Sequence, residues 1–469
     1  MKYFLPKGTR DFSTNELIKR NFIIKIIQKN FKLFGFYPLE TSSFEKKSTL
    51  DGKYGEEGES LIFKLLHSGD TLKKGLSNFL NKINNDKIKN LSLLTNFFSN
   101  KALRYDLTVP LVRYIVMNKN KIIFPFRRYQ MQPVWRAENP QKGRFREFFQ
   151  CDADIISSFI SLWDEIELIK LCDFIFNELN LPVIIYINHI EILKGLVKIY
   201  GIKESLWKDF IISLDKWKKI GKNLVKKEML QKGISITSFE RISDLLEKEK
   251  NFLEIKNFLT SKFKSIKNKI GEKSIKDLSI VYETIKNISL KKIKIEWSLS
   301  LARGINYYTG IIWEIVPINN KNTKYSYSIG GGGRYSRLTK LFGMENISGL
   351  GLSFGLDRIY LTMEKENLFK NSIFFPSKIL FINFGYEESL YTYKLMNILR
   401  EKGISNQLYP NNIKIHKQFK YANDNKIPFA IIIGKNEIIN NKIKIKNLKT
   451  RIEKEYNDIN DLIKYINMY

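Results

Sequence analysis

The chain of 469 residues is 43% hydrophobic, a share that excludes a largely disordered polypeptide and allows for two to four packed domains. It has no run of about 18 uncharged apolar residues, and its first residues lack a long apolar stretch with a small-residue cleavage site, so neither a membrane span nor a secretory signal is expected. The only cysteines and histidines in the sequence are Cys151, Cys172, His67, His189 and His416. They are scattered along the chain, which predicts neither a disulfide framework nor a structural zinc site.

Arginine is more informative than the net charge of +31, because lysine, isoleucine and asparagine dominate the whole chain. There are 16 arginines against 63 lysines, and eleven of the 16 fall in a few short segments. A planar guanidinium group binds phosphate or carboxylate through two parallel hydrogen bonds, which lysine cannot do. The clustered arginines therefore indicate an anion-binding site, with structural ion pairs as the alternative. They are Arg104, Arg113, Arg127, Arg128, Arg136, Arg144, Arg146, Arg303, Arg334, Arg337 and Arg358.

The first third of the chain opens with a predicted helix. Residues 16–34 carry apolar side chains at helical spacing and are predicted to form an amphipathic helix that ends at Gly35. A strand is predicted over Phe36–Phe44. Residues 100–185 follow with strands and turns that are dense in arginine, glutamine and aromatic side chains.

The rest of the chain changes character twice. Residues 190–290 are rich in lysine, nearly free of proline and helical in period, and residues 293–362 return to strands and glycines. Beyond Ser377, strands and helices alternate, which predicts a small α/β domain built from Ile379–Phe384, Glu387–Glu401, Ile404–Leu408, Ile413–Asn425 and Ile427–Ile433.

A hairpin is predicted over Arg127–Asp154, with turn residues between two extended runs. On its second strand, the two-residue period places Gln150, Asp152 and Asp154 on one face, opposite Cys151 and Ala153. The loop and its flanks add three arginines and a glutamate, namely Arg136, Glu138, Arg144 and Arg146. Cationic groups beside a row of carboxylates suit a site that binds a polyphosphate and an amine together. The alternative is an edge hairpin with solvated charges.

Two further segments carry polar groups suited to binding. If 104–110 is extended, Asp106 and Thr108 share a face and suit an α-ammonium group, although a capping pair is an equal alternative. In Leu301–Gly310, Arg303 and a pair of tyrosines suit a phosphate and an aromatic ring, with a bulged strand and core tyrosines as the alternative.

Two glycine-rich segments complete the set of candidates. The glycines at 330–333 allow close backbone approach, but their spacing fits neither a dinucleotide fold nor a phosphate loop. Residues 349–358 are predicted to be a strand of small residues leading into a helix whose Arg358 can reach a terminal phosphate.

These segments together resemble one enzyme family over essentially the whole chain. The hairpin resembles motif 2 of the class II aminoacyl-tRNA synthetases, residues 351–358 resemble motif 3, and Phe36–Phe44 resembles motif 1, the strand at the dimer interface. Residues 301–310 and 331–335 are similar to the two signatures of the histidyl-tRNA synthetases, and the opening Lys7–Phe12 also matches that family.

The resemblance implies an α/β (α+β) fold. The antiparallel-sheet catalytic domain would span 1–190 and 291–370, a helical insertion 191–290 would clamp the acceptor arm of tRNA, and a C-terminal α/β anticodon-binding domain would span 377–469. Residues Ile431–Glu437 would form the last strand and turn of that domain. The implied protein is a cytoplasmic homodimer with no membrane partner, which binds ATP, Mg²⁺ on the ATP phosphates, L-histidine and tRNA(His).

The resemblance also implies residue roles for activating histidine with ATP and transferring it to tRNA. The catalytic arginines would be Arg136, Arg303 and Arg358, and ATP would be bound by the same three with Glu138 and Arg144. Asp154 and Tyr308 would contact the imidazole, a pairing selective enough to need no editing domain. The full histidine-binding set would be Asp106, Leu107, Thr108, Gln150, Asp154, Tyr307, Tyr308 and Tyr335. No metal ligand in the protein itself is implied.

Three positions depart from the family pattern: Ser42 replaces the motif 1 proline, Asn306 replaces a common aspartate, and Ser336-Arg337 replaces Asp-Gly. We expect these departures to reduce stability rather than activity.

Other interpretations remain. A non-catalytic paralogue such as the regulatory subunit of ATP phosphoribosyltransferase usually lacks the anticodon-binding domain and the 303–308 signature. An RNA-binding module without chemistry would tolerate loss of the three catalytic arginines. Another class II synthetase, such as the threonyl or prolyl type, would carry different pocket residues.

Overall fold

The computed structural model describes residues 3–83, 95–247, 252–302, 308–319, 323–369 and 377–468. The chain forms two compact units, Met1–Phe369 and Lys370–Tyr469. No helix within these described ranges combines the length and the apolar character needed to span a bilayer.

The first unit is built on an eight-stranded sheet in the order β1-β5-β6-β11-β10-β9-β7-β8, beside a three-stranded sheet in the order β2-β4-β3. Its five central pairs are antiparallel, whereas the outer pairs β1–β5 and β7–β8 are parallel. The strands are β1 (Tyr37–Pro38), β2 (Phe44–Lys46), β3 (Lys64–Leu65), β4 (Lys101–Leu103), β5 (Phe126–Trp135), β6 (Glu147–Ser157), β7 (Val183–His189), β8 (Ile293–Trp297), β9 (Ile311–Pro317), β10 (Gly330–Arg334) and β11 (Ser348–Gly355).

Helices cover one face of the large sheet and fill the connection between β7 and β8. A capping box between Ser13 and Glu16 starts the first of them, and Phe31 packs from it against Tyr129 and Phe354 of the sheet. The helices of this unit are α1 (Thr14–Leu33), α2 (Lys47–Leu50), α3 (Gly55–Ser60), α4 (Gly69–Ile83), α5 (Thr95–Phe98), α6 (Thr108–Asn118), α7 (Leu162–Glu178), α8 (Ile190–Ile199), α9 (Trp207–Asp215), α10 (Trp217–Ile220), α11 (Lys222–Gln231), α12 (Ile236–Glu247), α13 (Phe252–Ser265), α14 (Lys269–Asn287), α15 (Ser336–Leu341) and α16 (Leu356–Lys365).

The β5–β6 hairpin has the predicted alternation. Cys151 and Ala153 are buried in the core beneath the sheet, and both cysteines of the chain are free thiols. Gln150, Asp152 and Asp154 lie on the opposite face, paired in register with Gln132, Gln130 and Arg128 of β5. The interior position of this hairpin in the sheet contradicts the alternative of a solvated edge hairpin.

The second unit is a five-stranded mixed sheet in the order β13-β12-β14-β15-β16, with an apolar core on each face. The predicted alternation is confirmed, and the three predicted strands are shorter than expected. The elements are β12 (Ile379–Phe381), α17 (Tyr386–Glu401), β13 (Asn406–Leu408), α18 (Ile415–Asp424), β14 (Phe429–Ile432), α19 (Lys435–Ile439), β15 (Ile443–Asn447), β16 (Glu453–Tyr456) and α20 (Ile459–Asn467).

Two predictions about strands are wrong. The single strand Phe36–Phe44 is two short strands in different sheets, because Pro38 lacks an N–H and the carbonyls of Thr41 and Ser43 accept hydrogen bonds from Arg104 instead of a strand (2.7 and 3.0 Å). Residues Ile431–Glu437 are not the last strand and turn, since two antiparallel strands and a helix follow them.

Candidate active site

A cavity of about 930 Å³ lies over the polar face of β6, β10 and β11 in the first unit. A volume of this size suits a nucleotide and an amino acid rather than a single small ion. Ten of the predicted site residues line it: Asp106, Thr108, Arg136, Glu138, Arg144, Gln150, Asp154, Tyr308, Tyr335 and Arg358.

Asp154 is held rigidly at the floor of the cavity. Its Oδ2 is 2.9 Å from Nη2 of the fully buried Arg128, and its Oδ1 accepts a hydrogen bond of 2.6 Å from the Tyr335 hydroxyl. Gly351 faces Asp154 across the strands, where a Cβ would lie 2.1 Å from Oδ1, and a Cβ at Gly349 would lie 2.0 Å from the Tyr335 ring. These two glycines therefore make the room that Asp154 and Tyr335 occupy.

Asp152, one alternation along the same strand, is a second buried acid whose pKa is raised. Burial, the strongest effect, together with the charge of Asp154 raises the pKa of Asp152 to about 8, against the opposing effect of Arg128. The same burial raises the pKa of Asp154. The buried Arg128 thus faces the carboxyl groups of both Asp152 and Asp154. The raised pKa of Asp152 limits the negative charge at the floor of the cavity.

Asp106 and Thr108 meet at the cavity for a reason other than the one predicted. They do not alternate along a strand, because Thr108 is the first residue of α6 and Asp106 lies in the bend before it. Asp106 Oδ1 accepts hydrogen bonds from the Tyr54 hydroxyl (2.9 Å) and from the backbone N–H of Val109 (3.1 Å). Burial raises the pKa of Asp106, which these hydrogen bonds oppose.

Arg136, Arg144 and Arg358 lie close enough for their charges to interact and form what we call the arginine end of the cavity. Aromatic rings and backbone carbonyls hold the guanidinium planes. Arg136 lies over the rings of Tyr105 (4.3 Å) and Phe148 (5.0 Å), and its Nε donates to the Tyr105 carbonyl (3.2 Å). Arg144 forms an ion pair with Glu138. Guanidinium groups stacked in this way retain their charge while losing little entropy on binding an anion.

Arg358 enters this end from the first turn of α16. Its Nε donates to the Gly143 carbonyl (2.9 Å) and its Nη1 to the Ser328 carbonyl (2.8 Å). Burial, followed by the charge of Arg144, lowers the pKa of Arg358. The arginines thus repel one another across the cavity, and a polyphosphate would relieve that repulsion.

One described residue of the predicted site, Leu107, is absent from the cavity lining. The Leu107 side chain is fully buried, and its carbonyl accepts a hydrogen bond of 3.1 Å from Arg128. Arg303 and Tyr307, and with them Asn306, lie outside the described residues. Among the described residues, no group of three or more His, Cys, Asp or Glu side chains is arranged to hold a metal ion.

The departures at Ser42 and Ser336 have local structural uses. Ser42 Oγ accepts a hydrogen bond of 3.2 Å from the Phe44 backbone and so closes the turn where the family has proline. Ser336 begins α15 and is 2.6 Å from Ser348, oxygen to oxygen, whereas Arg337 is exposed.

The sequence reasoning missed three groups that support the site. The sequence gives no individual role to Arg128, to Tyr54 or to Asp152, although the period of β6 predicts the face on which Asp152 lies. The two-residue period signalled Arg128, because it lies directly opposite Asp154 in the register. No local signal marked Tyr54, which reaches Asp106 across 52 positions in the chain.

Comparisons with known proteins agree along both units. A family model described as histidyl-tRNA synthetase matches residues 96–359, and one described as anticodon binding domain matches 378–468. The histidine–tRNA ligases of Christiangramia forsetii and Flavobacterium johnsoniae are 48% and 46% identical over 447 and 459 residues, covering 95% of each chain. The crystal structure of histidyl-tRNA synthetase from Nostoc sp. PCC 7120 superposes with a TM-score of 0.80 at 26% identity, covering 100% of this chain and 99% of that one.

The antiparallel sheet, with its cavity between a carboxylate row and an arginine cluster, is that of a class II aminoacyl-tRNA synthetase. Within that class both of these relatives are named for histidine, and each covers 95% of this chain. The chain belongs to the histidyl-tRNA synthetase family.

Proposed function

We propose that this chain activates L-histidine with ATP and then transfers the histidyl group to the 3′ end of tRNA(His). The observation that carries the proposal is the cavity itself, which joins a carboxylate floor suited to an amine and an imidazole to an arginine end suited to a polyphosphate. Such a division of charge allows both substrates to bind with their reacting atoms adjacent.

In the first step, a carboxylate oxygen of histidine attacks the α-phosphorus of ATP, and pyrophosphate leaves as the bond between the α- and β-phosphates breaks. The protein forms no covalent bond, so catalysis rests on positioning and charge neutralisation. We assign the α-phosphate to Arg136 and Arg303, and the γ-phosphate to Arg358. Glu138 and Arg144 would bind the nucleotide. In the second step, the terminal ribose hydroxyl of tRNA attacks the histidyl carbonyl carbon and AMP leaves.

The histidine end of the cavity is assigned by the chemistry of its groups. Asp106, Thr108 and the Gln150 amide oxygen would accept hydrogen bonds from the α-ammonium group. That amide oxygen has no hydrogen-bond partner among the described residues. Asp154, whose orientation Arg128 and Tyr335 fix, would contact an imidazole N–H together with Tyr308. Tyr307 and Leu107 remain assigned to this pocket as part of the family pattern.

Mg²⁺ fits this site as a companion of ATP. The described residues offer it no cluster of ligands, and Mg²⁺ characteristically binds through phosphate oxygens, water and only one or two carboxylates. Glu138 and Glu314, lining carboxylates close enough to influence Arg358, would be available to hold such an ion. When bound, the metal would neutralise the charge of the leaving pyrophosphate.

We propose the same division into domains that the sequence implied. The helices α8–α14 lie between β7 and β8, which pair directly in the sheet, as expected of an insertion over 191–290 within a catalytic domain over 1–190 and 291–370. Residues 377–469 would bind the anticodon. The cytoplasm is the compartment in which these substrates are found.

Histidine-dependent exchange of pyrophosphate into ATP tests this function. We expect exchange with histidine and none with threonine or proline, because a floor built to hydrogen-bond an imidazole rejects side chains that lack it. A folded protein that binds ATP but supports no exchange with histidine would favour the regulatory paralogue. Exchange driven by another amino acid would favour a different class II synthetase.

We also propose that the chain works as a homodimer. Large apolar side chains are exposed on the edge strand β1 (Tyr37, 71%), on β2 (Phe44, 57%), on α6 (Met117, 72%) and just after α6 (Ile123, 87%). Exposed apolar groups of this kind mark association surfaces. Sedimentation equilibrium should give twice the chain mass of 55.3 kDa, and Ile123→Lys should shift the mass towards that of one chain. A wild-type protein that sediments as one chain at micromolar concentration would refute the dimer.

A further inference from the structure

The opening segment Lys7–Phe12, which we call the N-terminal segment, lies against the loop that carries the nucleotide-binding groups. The Arg146 backbone N–H donates to the Gly8 carbonyl (2.8 Å), and its side chain donates to the Lys7 carbonyl (3.4 Å). Gly8 has φ +89°, and a Cβ there would lie 2.8 Å from both Pro140 and Arg146. The segment therefore packs on loop 136–146 as closely as only glycine allows.

Arg10 connects this loop to the start of α16. Its guanidinium group stacks over Phe145 of the loop at 3.9 Å and over Phe12 at 4.6 Å, and it forms an ion pair with Asp357. Phe145 and Asp357 both belong to the cavity lining, whereas Arg10 stands behind them. One side chain thus joins the two elements whose arginines face each other across the nucleotide end.

Asp357 is fixed from several directions. Besides Arg10, it accepts a hydrogen bond from Arg20 of α1 (2.5 Å) and from the Phe149 backbone N–H (2.9 Å). Arg20 reaches Asp357 and the Phe12 ring (4.0 Å). The two arginines therefore share a carboxylate, but the stacking on the loop residue Phe145 belongs to Arg10.

We propose that Arg10 is a positioning residue for ATP: it holds loop 136–146 against the N-terminal turn of α16, so that Arg144 and Arg358 face one polyphosphate. This inference rests on the proposed function. Arg358 itself donates to the Gly143 carbonyl of the loop, but burial and then the charge of Arg144 lower its pKa, so an attachment outside the arginine cluster helps to hold the loop near α16 before the anion binds. Arg10 supplies that attachment through stacking and an ion pair, without contacting the reacting atoms.

Arg10→Lys tests the role, because lysine keeps the charge but loses the planar fork and most of the stacking. In pyrophosphate exchange, we expect the KM for ATP to rise about tenfold, with kcat and the KM for histidine within twofold of wild type. Lys7→Ala is the matched control, since it removes a positive charge from the same segment where the side chain is exposed. It should leave all three parameters unchanged.

Limited trypsin digestion gives a readout that does not depend on activity. Lys142 and Arg144 are exposed cleavage sites within the loop, and we expect cleavage there to be several times faster in Arg10→Lys than in wild type or Lys7→Ala. If Arg10→Lys does not fold, Arg10→Gln carries the same expectations. An active wild type beside an Arg10→Lys enzyme with unchanged KM for ATP and unchanged loop cleavage would overturn the inference. Absence of exchange in the wild type would instead count against the proposed function, while digestion would still test the attachment.

Discussion

Arg358→Ala should lower kcat/KM for ATP by about a thousandfold in histidine-dependent pyrophosphate exchange. The guanidinium group is already oriented, because carbonyls of Gly143 and Ser328 hold two of its nitrogens at 2.9 and 2.8 Å. A preoriented cation in a partly dry cavity stabilises developing negative charge without reorganising. Truncation removes that stabilisation and also one contact between α16 and the nucleotide loop.

Arg337→Ala is the matched control for Arg358→Ala. Arg337 belongs to the same unit, but its side chain is exposed on α15, so its loss should change the rate less than twofold. Arg358→Lys should recover part of the lost rate, since it restores the charge without the fork. Arg358→Ala activity within threefold of wild type would remove this arginine from the mechanism.

The stability of the unliganded protein should change little where activity falls. Burial and the neighbouring Arg144 lower the pKa of Arg358, which means that its charge is costly in the protein alone. We therefore expect Arg358→Ala to melt near the wild-type temperature without ligand. Added ATP should raise its melting temperature by less than it raises that of the wild type. Thermal denaturation with and without ATP measures both effects.

The site was predictable from the sequence where function and local structure coincide. The two-residue period of β6 predicted which face Gln150, Asp152 and Asp154 share, since alternation in a strand is fixed by backbone geometry. The strand-to-helix turn ahead of Arg358 was equally visible, because small residues and then a helical pattern mark it.

Groups that reach the site over long sequence distances were not predictable. Tyr54 and Arg10 act on Asp106 and Asp357 across 52 and 347 positions, and nothing in their neighbouring residues indicates those partners. The prediction of a single strand over residues 36–44 was wrong for a related reason. The carbonyls of Thr41 and Ser43 accept hydrogen bonds from the side chain and the backbone N–H of Arg104, a contact between segments that are distant in sequence.

The glycines illustrate the same limit. The sequence interpretation gave the glycines at 330–333 to close approach of a ligand. In the sheet, a Cβ at Gly332 would lie 2.1 Å from the Gly351 carbonyl oxygen and 2.7 Å from the Trp313 ring, so that glycine serves strand packing. Gly351, by contrast, makes room for Asp154, and only the register of β6 with β11 distinguishes the two uses.

Asp154→Asn should lower kcat/KM for histidine by about a thousandfold or more, while ATP still binds. The carboxylate at this position is fixed by Arg128 and Tyr335, and an imidazole N–H would meet its charge in a dry environment. An amide is neutral and must present one of two ends to each neighbour. Histidine KM and ATP-induced stabilisation, measured on the same preparation, separate the two substrates.

The same substitution changes stability, because it leaves the fully buried Arg128 without its paired carboxylate. Breaking a buried pair costs about 3–5 kcal/mol when nothing replaces the lost charge. Here Asp152 can replace it. The pKa of Asp152 is about 8 instead of 3.8 through burial and the charge of Asp154, so removing that charge lowers this pKa and lets Asp152 ionise beside Arg128.

The pH dependence of stability tests this exchange of charge. In the wild type, between pH 4 and 8, the unfolded chain has released the Asp152 proton while the folded chain retains it, so this group makes unfolding easier as the pH rises through that window. In Asp154→Asn the pKa of Asp152 in the folded chain falls, so the decline in stability with rising pH should end at a lower pH. The double variant Asp154→Asn with Arg128→Gln removes the buried cation as well, so the pKa of Asp152 should rise again, without any return of histidine activation. If Asp154→Asn keeps the wild-type pH profile, or if the double variant recovers activity, then Asp154 is not the group that joins the buried charges to histidine.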